Sequence, residues 1–276
     1  MPYAAAGAVQ ICYDTLGEPG DAPLLLISGL GNQLIMWPDD FCLSLVDRGF
    51  FVVRFDNRDC GLSTILPDGS EYTLSDMAGD ATAVLDALDL PVAHVVGQSL
   101  GAMIAQTMAI EHRARVLTLT SISANTGNLE YGRPSEEALT AISQPREPTL
   151  DGAVEADVAN RRLWASPSWF DEAATRAYFR AAAARAFTPG ASLRQLAAVL
   201  TGPDREADLR RLDIPTLVIH GTLDPLISPD GGQRTADLVR GAELLLIDGL
   251  AHDLPVQVWQ QVISAITAHV ARQVVA

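Results

Sequence analysis

Apolar runs of strand length recur along the chain, with helix-length stretches between them. The main ones are Leu24-Leu25-Leu26-Ile27, Phe50-Phe51-Val52-Val53-Arg54-Phe55, His94-Val95-Val96, Val116 to Ile122, Thr216-Leu217-Val218-Ile219 and Leu244-Leu245-Leu246-Ile247. Runs of this kind suit parallel strands covered on both faces. Val9 to Leu16 also has strand length and ends in the turn residues Gly17-Glu18-Pro19-Gly20-Asp21, which suggests an edge hairpin or meander. A helix-length segment ending near Gly49 separates the first two core runs. Leu74, Met77, Ala78, Ala81, Leu85 and Leu88 recur at three- and four-residue steps as one helical stripe, leaving Asp76, Asp80 and Asp86 on other faces. A small-residue helix is predicted from Leu100 to about Ile110, and Trp259, Val262, Ile263, Ile266 and Val270 line one face of a C-terminal helix. Strand and helix alternate, so the expected class is α/β, with a mostly parallel central sheet and helices on both faces.

Residues 124–211 break that rhythm. They are rich in Ala and Arg, are interrupted by Pro134, Pro145, Pro148, Pro167 and Pro189, and contain no strand-like run. The expectation is a helical cap or lid, inserted before the strand at Thr216 and lying over the strand ends where open α/β sheets bind ligands. The core would then comprise residues 1–123 and 212–276. Within the cap, Trp164, Trp169 and Phe170 cluster around Ser166-Pro167, either to line a substrate pocket or to form the cap's own small core.

Composition removes several function classes. No run approaches the roughly 18 apolar residues of a membrane span, and Met1-Pro2-Tyr3-Ala4 lacks the basic and apolar regions of a secretion signal. A soluble, cytoplasmic protein is the default expectation. Three scattered cysteines, Cys12, Cys42 and Cys60, have neither metal-site spacing nor an even count, and are read as free core thiols. A net charge of −15 argues against a nucleic-acid partner. Lysine is absent from the sequence, which excludes Schiff-base chemistry and a Walker-type phosphate loop.

Candidate chemistry begins at Gly97-Gln98-Ser99-Leu100-Gly101, a G-x-S-x-G sequence at the end of an apolar strand and the start of a small-residue helix. That context presents Ser99 at a strained, tight turn whose neighbours two positions away must be small. A bare serine is a weak nucleophile at neutral pH, so a base and an orienting acid are required elsewhere. Asp224 lies in the loop after the strand Thr216 to Ile219; its rivals Asp230, Asp248 and Asp253 are read as surface groups. Of the five histidines, His252 follows the last core strand and precedes the terminal helix, whereas His94, His112, His220 and His269 fit structural or exposed positions. The resulting order, Ser99, Asp224, His252, is that of α/β-hydrolases rather than of chymotrypsin or subtilisin. Ser28-Gly29-Leu30-Gly31 is the expected oxyanion loop, with the N–H groups of Leu30 and Leu100 as donors. The turn Asp56-Asn57-Arg58-Asp59-Cys60-Gly61-Leu62-Ser63 is expected to brace it.

Across essentially its whole length the chain resembles α/β-hydrolases of the aclacinomycin methylesterase type, and more loosely enol-lactonases and cofactor-free haloperoxidases. Trp37-Pro38-Asp39, the Asp56 to Ser63 turn, Arg194-Gln195-Leu196-Ala197-Ala198-Val199 and His252-Asp253-Leu254-Pro255 carry the likeness together with the triad residues. Two positions depart from it: Ser28 stands where many relatives carry the His of an H-G-x-G loop, and Ala251 where a glycine often precedes the histidine. The resemblance implies a carboxylesterase acting on a small-molecule ester through an acyl-enzyme, without cofactor or metal. Gly29, Gln98, Trp164, Trp169, Phe170 and Leu226 are the candidate pocket residues. Lactonase, thioesterase, C–C hydrolase and perhydrolase chemistry use the same triad and stay open, as does a non-catalytic receptor on the same fold. Oligomeric state is left open.

Overall fold

Eight strands form one sheet in the computed structural model, which describes residues 1–144 and 147–274. They are β1 (Tyr3–Ala6), β2 (Val9–Leu16), β3 (Ala22–Ile27), β4 (Phe50–Phe55), β5 (Ala93–Gln98), β6 (Val116–Ile122), β7 (Thr216–Gly221) and β8 (Glu243–Ile247). Their spatial order is β1-β2-β4-β3-β5-β6-β7-β8. β1 pairs antiparallel with β2 and β2 with β4, whereas every pairing from β4 across to β8 is parallel. The expected mostly parallel sheet is present, with one correction at its edge. The hairpin lies upstream of the predicted turn: β1 and β2 face each other across residues 7 and 8, and the chain after Gly17 re-enters the sheet on the far side of β4. Tyr3-Ala4-Ala5-Ala6 carries no strand signature, so only its pairing with β2 makes it a strand.

Side-chain alternation along the strands divides the core. Leu25 and Ile27 of β3 join Met77, Ala81 and Leu85 of α2 (Leu74–Ala87) and Ile104 and Met108 of α3 (Leu100–Glu111) on one face. Leu24 and Leu26 point the other way, onto Phe41 and Leu45 of α1 (Asp39–Val46) and Val262, Ile263 and Ile266 of α10 (Val256–Val274). The inner strands β3 to β7 are buried on both faces, which is why their sequences read as apolar runs. The start of α2 is set by Thr73, whose hydroxyl accepts the Asp76 N–H while the Asp76 carboxylate accepts the Thr73 N–H.

Between Ile122 and Thr216 the described residues contain no strand and five helices: α4 (Glu136–Ile142), α5 (Leu150–Trp164), α6 (Glu172–Arg185), α7 (Ser192–Leu200) and α8 (Glu206–Leu209). Pro145, one of the predicted helix breakers, lies outside the described residues. The remaining helix, α9 (Pro229–Leu238), connects β7 to β8. No helix among the described residues is long and apolar enough to cross a membrane. Cys12, Cys42 and Cys60 are all buried, as thiols.

His94 contributes a pH-dependent term to stability. Its ring is buried at 6% exposure, with Nδ1 at 3.0 Å from Thr118 Oγ1 and its edge against Phe50. Burial, and then the neighbouring His269, lower its pKa from 6.5 to about 4. The fold therefore holds the neutral ring, and the unfolded chain binds the extra proton as pH drops below 6.5, so stability falls between pH 6.5 and pH 4. By pH 5.5 the expected loss from this residue is about 1 kcal/mol relative to pH 7.5. Urea midpoints at the two pH values should show it, and His94→Gln should reduce the difference by about that amount.

Candidate active site

Two close approaches fix the turn between β5 and α3. A Cβ on Gly97 would lie 2.1 Å from the carbonyl oxygen of Gly101, and one on Gly101 would lie 2.1 Å from that of Ile27. Neither position accepts a side chain, and the backbone between them is forced through Ser99 at φ 57° and ψ −124°. A non-glycine residue held there typically costs about 1–3 kcal/mol. The Ser99 N–H, bonded to Ile122 O at 2.8 Å, and its carbonyl, accepting from Ala102 and Met103, hold the geometry in place. The hydroxyl is thereby raised above the C-terminal edge of the sheet, where three further loops converge.

His252 Nε2 lies 2.9 Å from Ser99 Oγ, and His252 Nδ1 lies 2.7 Å from Asp224 Oδ2. A carboxylate only accepts, so Nδ1 carries the proton and Nε2 is left to accept from the serine hydroxyl. Asp224 is buried, and its Oδ1 accepts the N–H groups of Leu226 and Ile227, each at 2.9 Å. Burial raises the pKa of its carboxyl. The neighbouring His252 ring and hydrogen bonds from His220 and His252 outweigh that and hold it well below the usual carboxylate range. His220, read from sequence as a structural residue, thus touches the site: its Nε2 donates to Ile227 O at 2.8 Å and lies 3.3 Å from Asp224 Oδ2. Its place four residues before Asp224 was the available signal.

The rival acids all have structural partners. Asp253 is buried, and its Oδ1 accepts both the N–H and the hydroxyl of Ser166. Ser166 Oγ in turn accepts the Ala251 N–H, and the His252 N–H donates to Trp164 O at 2.8 Å. The histidine loop is therefore stitched to the chain after α5. Asp230 accepts from Gly132 N and Ser228 Oγ, and Asp248 from Thr222 Oγ1. The surface reading is corrected for Asp253, because the Ser166 turn covers it.

The Ser28–Gly31 loop lies against Ser99: a Cβ on Gly29 would stand 3.3 Å from Ser99 Cβ. The Leu100 N–H is the first of α3, and among the described residues neither it nor the Leu30 N–H donates a hydrogen bond. Ser28 is fully buried, with its carbonyl accepting from Asn57 Nδ2 at 3.0 Å, so the Asp56–Ser63 turn does brace the loop. A second brace comes from α7. Gln195, fully buried, accepts the Gly31 N–H at 2.8 Å and donates to Arg58 O at 2.7 Å.

A cavity of about 260 Å³ opens onto Ser99 and His252. Of the candidate pocket residues, Gly29, Gln98, Trp164 and Leu226 line it, together with Leu30. Trp169 and Phe170 do not. Trp169 packs on the apolar cluster that includes Leu250, and Phe170 lies under the Arg162 guanidinium at 5.1 Å, past the turn at Ser166. Sequence reading missed the polar wall formed by Asn32, Arg161 and Tyr178. Among the described residues, no three His, Cys, Asp or Glu side chains converge as metal ligands.

Comparison with known proteins places the chain in a family. Residues 22–257 match the family described as the alpha/beta hydrolase fold. The rhodomycin D methylesterase DnrP of Streptomyces peucetius is 33% identical, with 95% of each chain covered. The 3-oxoadipate enol-lactonase 2 of Acinetobacter baylyi is 26% identical over 82% of this chain and 80% of its own. Among solved structures, an esterase from Rhodococcus sp. superposes with a TM-score of 0.82 at 22% identity, covering 98% of both chains, a likeness of fold. The chain belongs to the α/β-hydrolase fold family and is a hydrolase. The likeness to methylesterases read from its motifs is present in its relatives.

Proposed function

We propose that the protein hydrolyses a carboxylic ester through a covalent acyl-enzyme on Ser99. The observation that carries this reading is the continuous chain Ser99 Oγ, His252, Asp224 at hydrogen-bond distances, with its serine end open to a cavity. As Ser99 Oγ attacks the ester carbonyl, His252 Nε2 takes the hydroxyl proton, and Asp224 stabilises the imidazolium that forms. The carbonyl oxygen becomes an oxyanion and accepts from the N–H groups of Leu30 and Leu100. Preorganised donors of this kind contribute about 3–4 kcal/mol each. Collapse breaks the ester C–O bond, and His252 hands its proton to the departing alcohol. Water then attacks the acyl-Ser99 carbonyl while His252 accepts its proton, and Ser99 leaves as the free hydroxyl with the acid product.

In this reading residues 124–211 act as the cap, because α5 and α6 supply the cavity wall facing the triad. The methylesterase relative at 33% identity favours a small leaving alcohol, methanol first. Hydrolysis of p-nitrophenyl esters from acetate to decanoate, with stopped-flow detection of the nitrophenolate burst, tests the mechanism. The expected result is a burst of one equivalent on the short esters and a fall with chain length as the cavity fills. Turnover of methyl esters, followed by proton release, tests the alcohol.

Gln195 enters here as a positioning residue. Gln195→Leu removes the partner of the Gly31 N–H and of the Arg58 carbonyl and frees the loop that presents the Leu30 N–H. The expected outcome is a fall in kcat on the order of tenfold with little change in KM, a part of the 10²–10³ that deleting an oxyanion donor costs. A loss confined to KM would place Gln195 in substrate binding instead.

A further inference from the structure

Resting on the esterase reading, we infer that the substrate carries a carboxylate besides its scissile ester, and that Arg161 binds it. Arg161 projects from α5 into the cavity that holds Ser99 and His252. Its guanidinium lies over the Phe179 ring at 5.5 Å, and its one hydrogen bond is a long one, 3.5 Å from Nη2 to Asn32 Oδ1. That acceptor is already engaged by the Tyr178 hydroxyl at 3.1 Å. Arg161 Nε is buried and has no hydrogen-bond partner among the described residues. A guanidinium has five donors in a planar fork, and leaving one buried and unmet is costly unless a ligand meets it.

The neighbouring arginines show what a satisfied one looks like here. Arg58 pairs with Asp80, Arg185 with Asp56 and Arg194 with Asp59, each at 2.6–2.8 Å. Arg161, by contrast, has a buried Nε that meets no acceptor among the described residues. Phe179 on one face and the Asn32–Tyr178 pair at the edge restrict the guanidinium to the cavity side. Asn32 follows the Ser28–Gly31 loop directly, so the cation stands beside the place where the ester carbonyl would bind. One guanidinium fork, with no second described cation turned to it, matches a planar carboxylate bound through two N–H groups. The substrate class is therefore the half-ester of a dicarboxylic acid, or a larger acid whose second carboxylate lies within a few bonds of the ester.

The test compares monomethyl succinate, glutarate and adipate with the neutral methyl esters of butanoate, pentanoate and hexanoate, using wild type, Arg161→Gln and Arg161→Lys. Binding of glutarate to each protein is measured by calorimetry in parallel. At least one half-ester is expected to be preferred over its neutral partner by wild type. Arg161→Gln should lower that kcat/KM ratio by about 10- to 100-fold and weaken glutarate binding to match. Arg161→Lys should restore part of the ratio, having the charge without the fork. A ratio unmoved by Arg161→Gln, with both esters unchanged or falling together, would overturn the inference while leaving the esterase reading intact. If no ester is hydrolysed but glutarate binds in an Arg161-dependent way, the carboxylate site stands and the esterase reading fails. Absence of both turnover and glutarate binding overturns both.

Discussion

Ester turnover is expected to fall about 10⁶-fold on replacing Ser99 with alanine, the scale on which a triad nucleophile acts. Among the described residues the hydroxyl bonds only to His252, at 2.9 Å, so its removal leaves the elbow's backbone bonds to Ile122, Ala102 and Met103 in place. Circular dichroism and the urea midpoint of the variant should therefore stay close to wild type while kcat drops to the detection limit. Stopped-flow traces should lose the nitrophenolate burst together with the steady state. A variant that kept the burst would move the acyl group to another residue.

Asp224→Asn is expected to lower kcat by about 10⁴-fold, the scale of this change in serine-protease triads. The cause is the proton position rather than a displaced side chain. Oδ1 accepts two backbone N–H groups, so an asparagine must keep its oxygen there and turn its NH₂ toward the His252 and His220 nitrogens that now meet Oδ2. Two donors would then face each other unless His252 moves its proton to Nε2, where it can no longer accept from Ser99. Activity should recover in part at high pH, where deprotonated Ser99 needs no base. A loss of the same size accompanied by unfolding would assign Asp224 a structural role, so the urea midpoint belongs beside the rate.

The strands of the sheet were legible in the sequence because β3 to β7 are buried on both faces, leaving apolar runs that few other structures produce. β1 was not, since an Ala-rich tetrapeptide at an edge depends on its partner rather than on its own pattern. Ser99 could be placed because the Gly97 and Gly101 contacts leave a fixed spacing in the chain. Asp224 and His252 followed from their positions after particular strands. The cavity wall could not be read in the same way. Asn32 and Arg161 are 129 residues apart and meet only through helix packing, and one arginine in an Arg-rich stretch carries no mark of its role. Trp169 and Phe170 show the converse: proximity to Trp164 in sequence put them beside the pocket, and a single turn at Ser166 takes them out of it. The same turn explains Asp253, which sequence position alone could not distinguish from a surface acid.

The proposed mechanism stands on an acyl group borne by Ser99, and labelling with a fluorophosphonate followed by peptide mapping measures that most directly. One equivalent of probe is expected on the peptide containing Ser99, at a rate that falls steeply in His252→Ala and with complete protection by a short ester inhibitor. Label on a different residue, or full ester turnover by protein whose Ser99 is quantitatively blocked, would contradict a Ser99 acyl-enzyme.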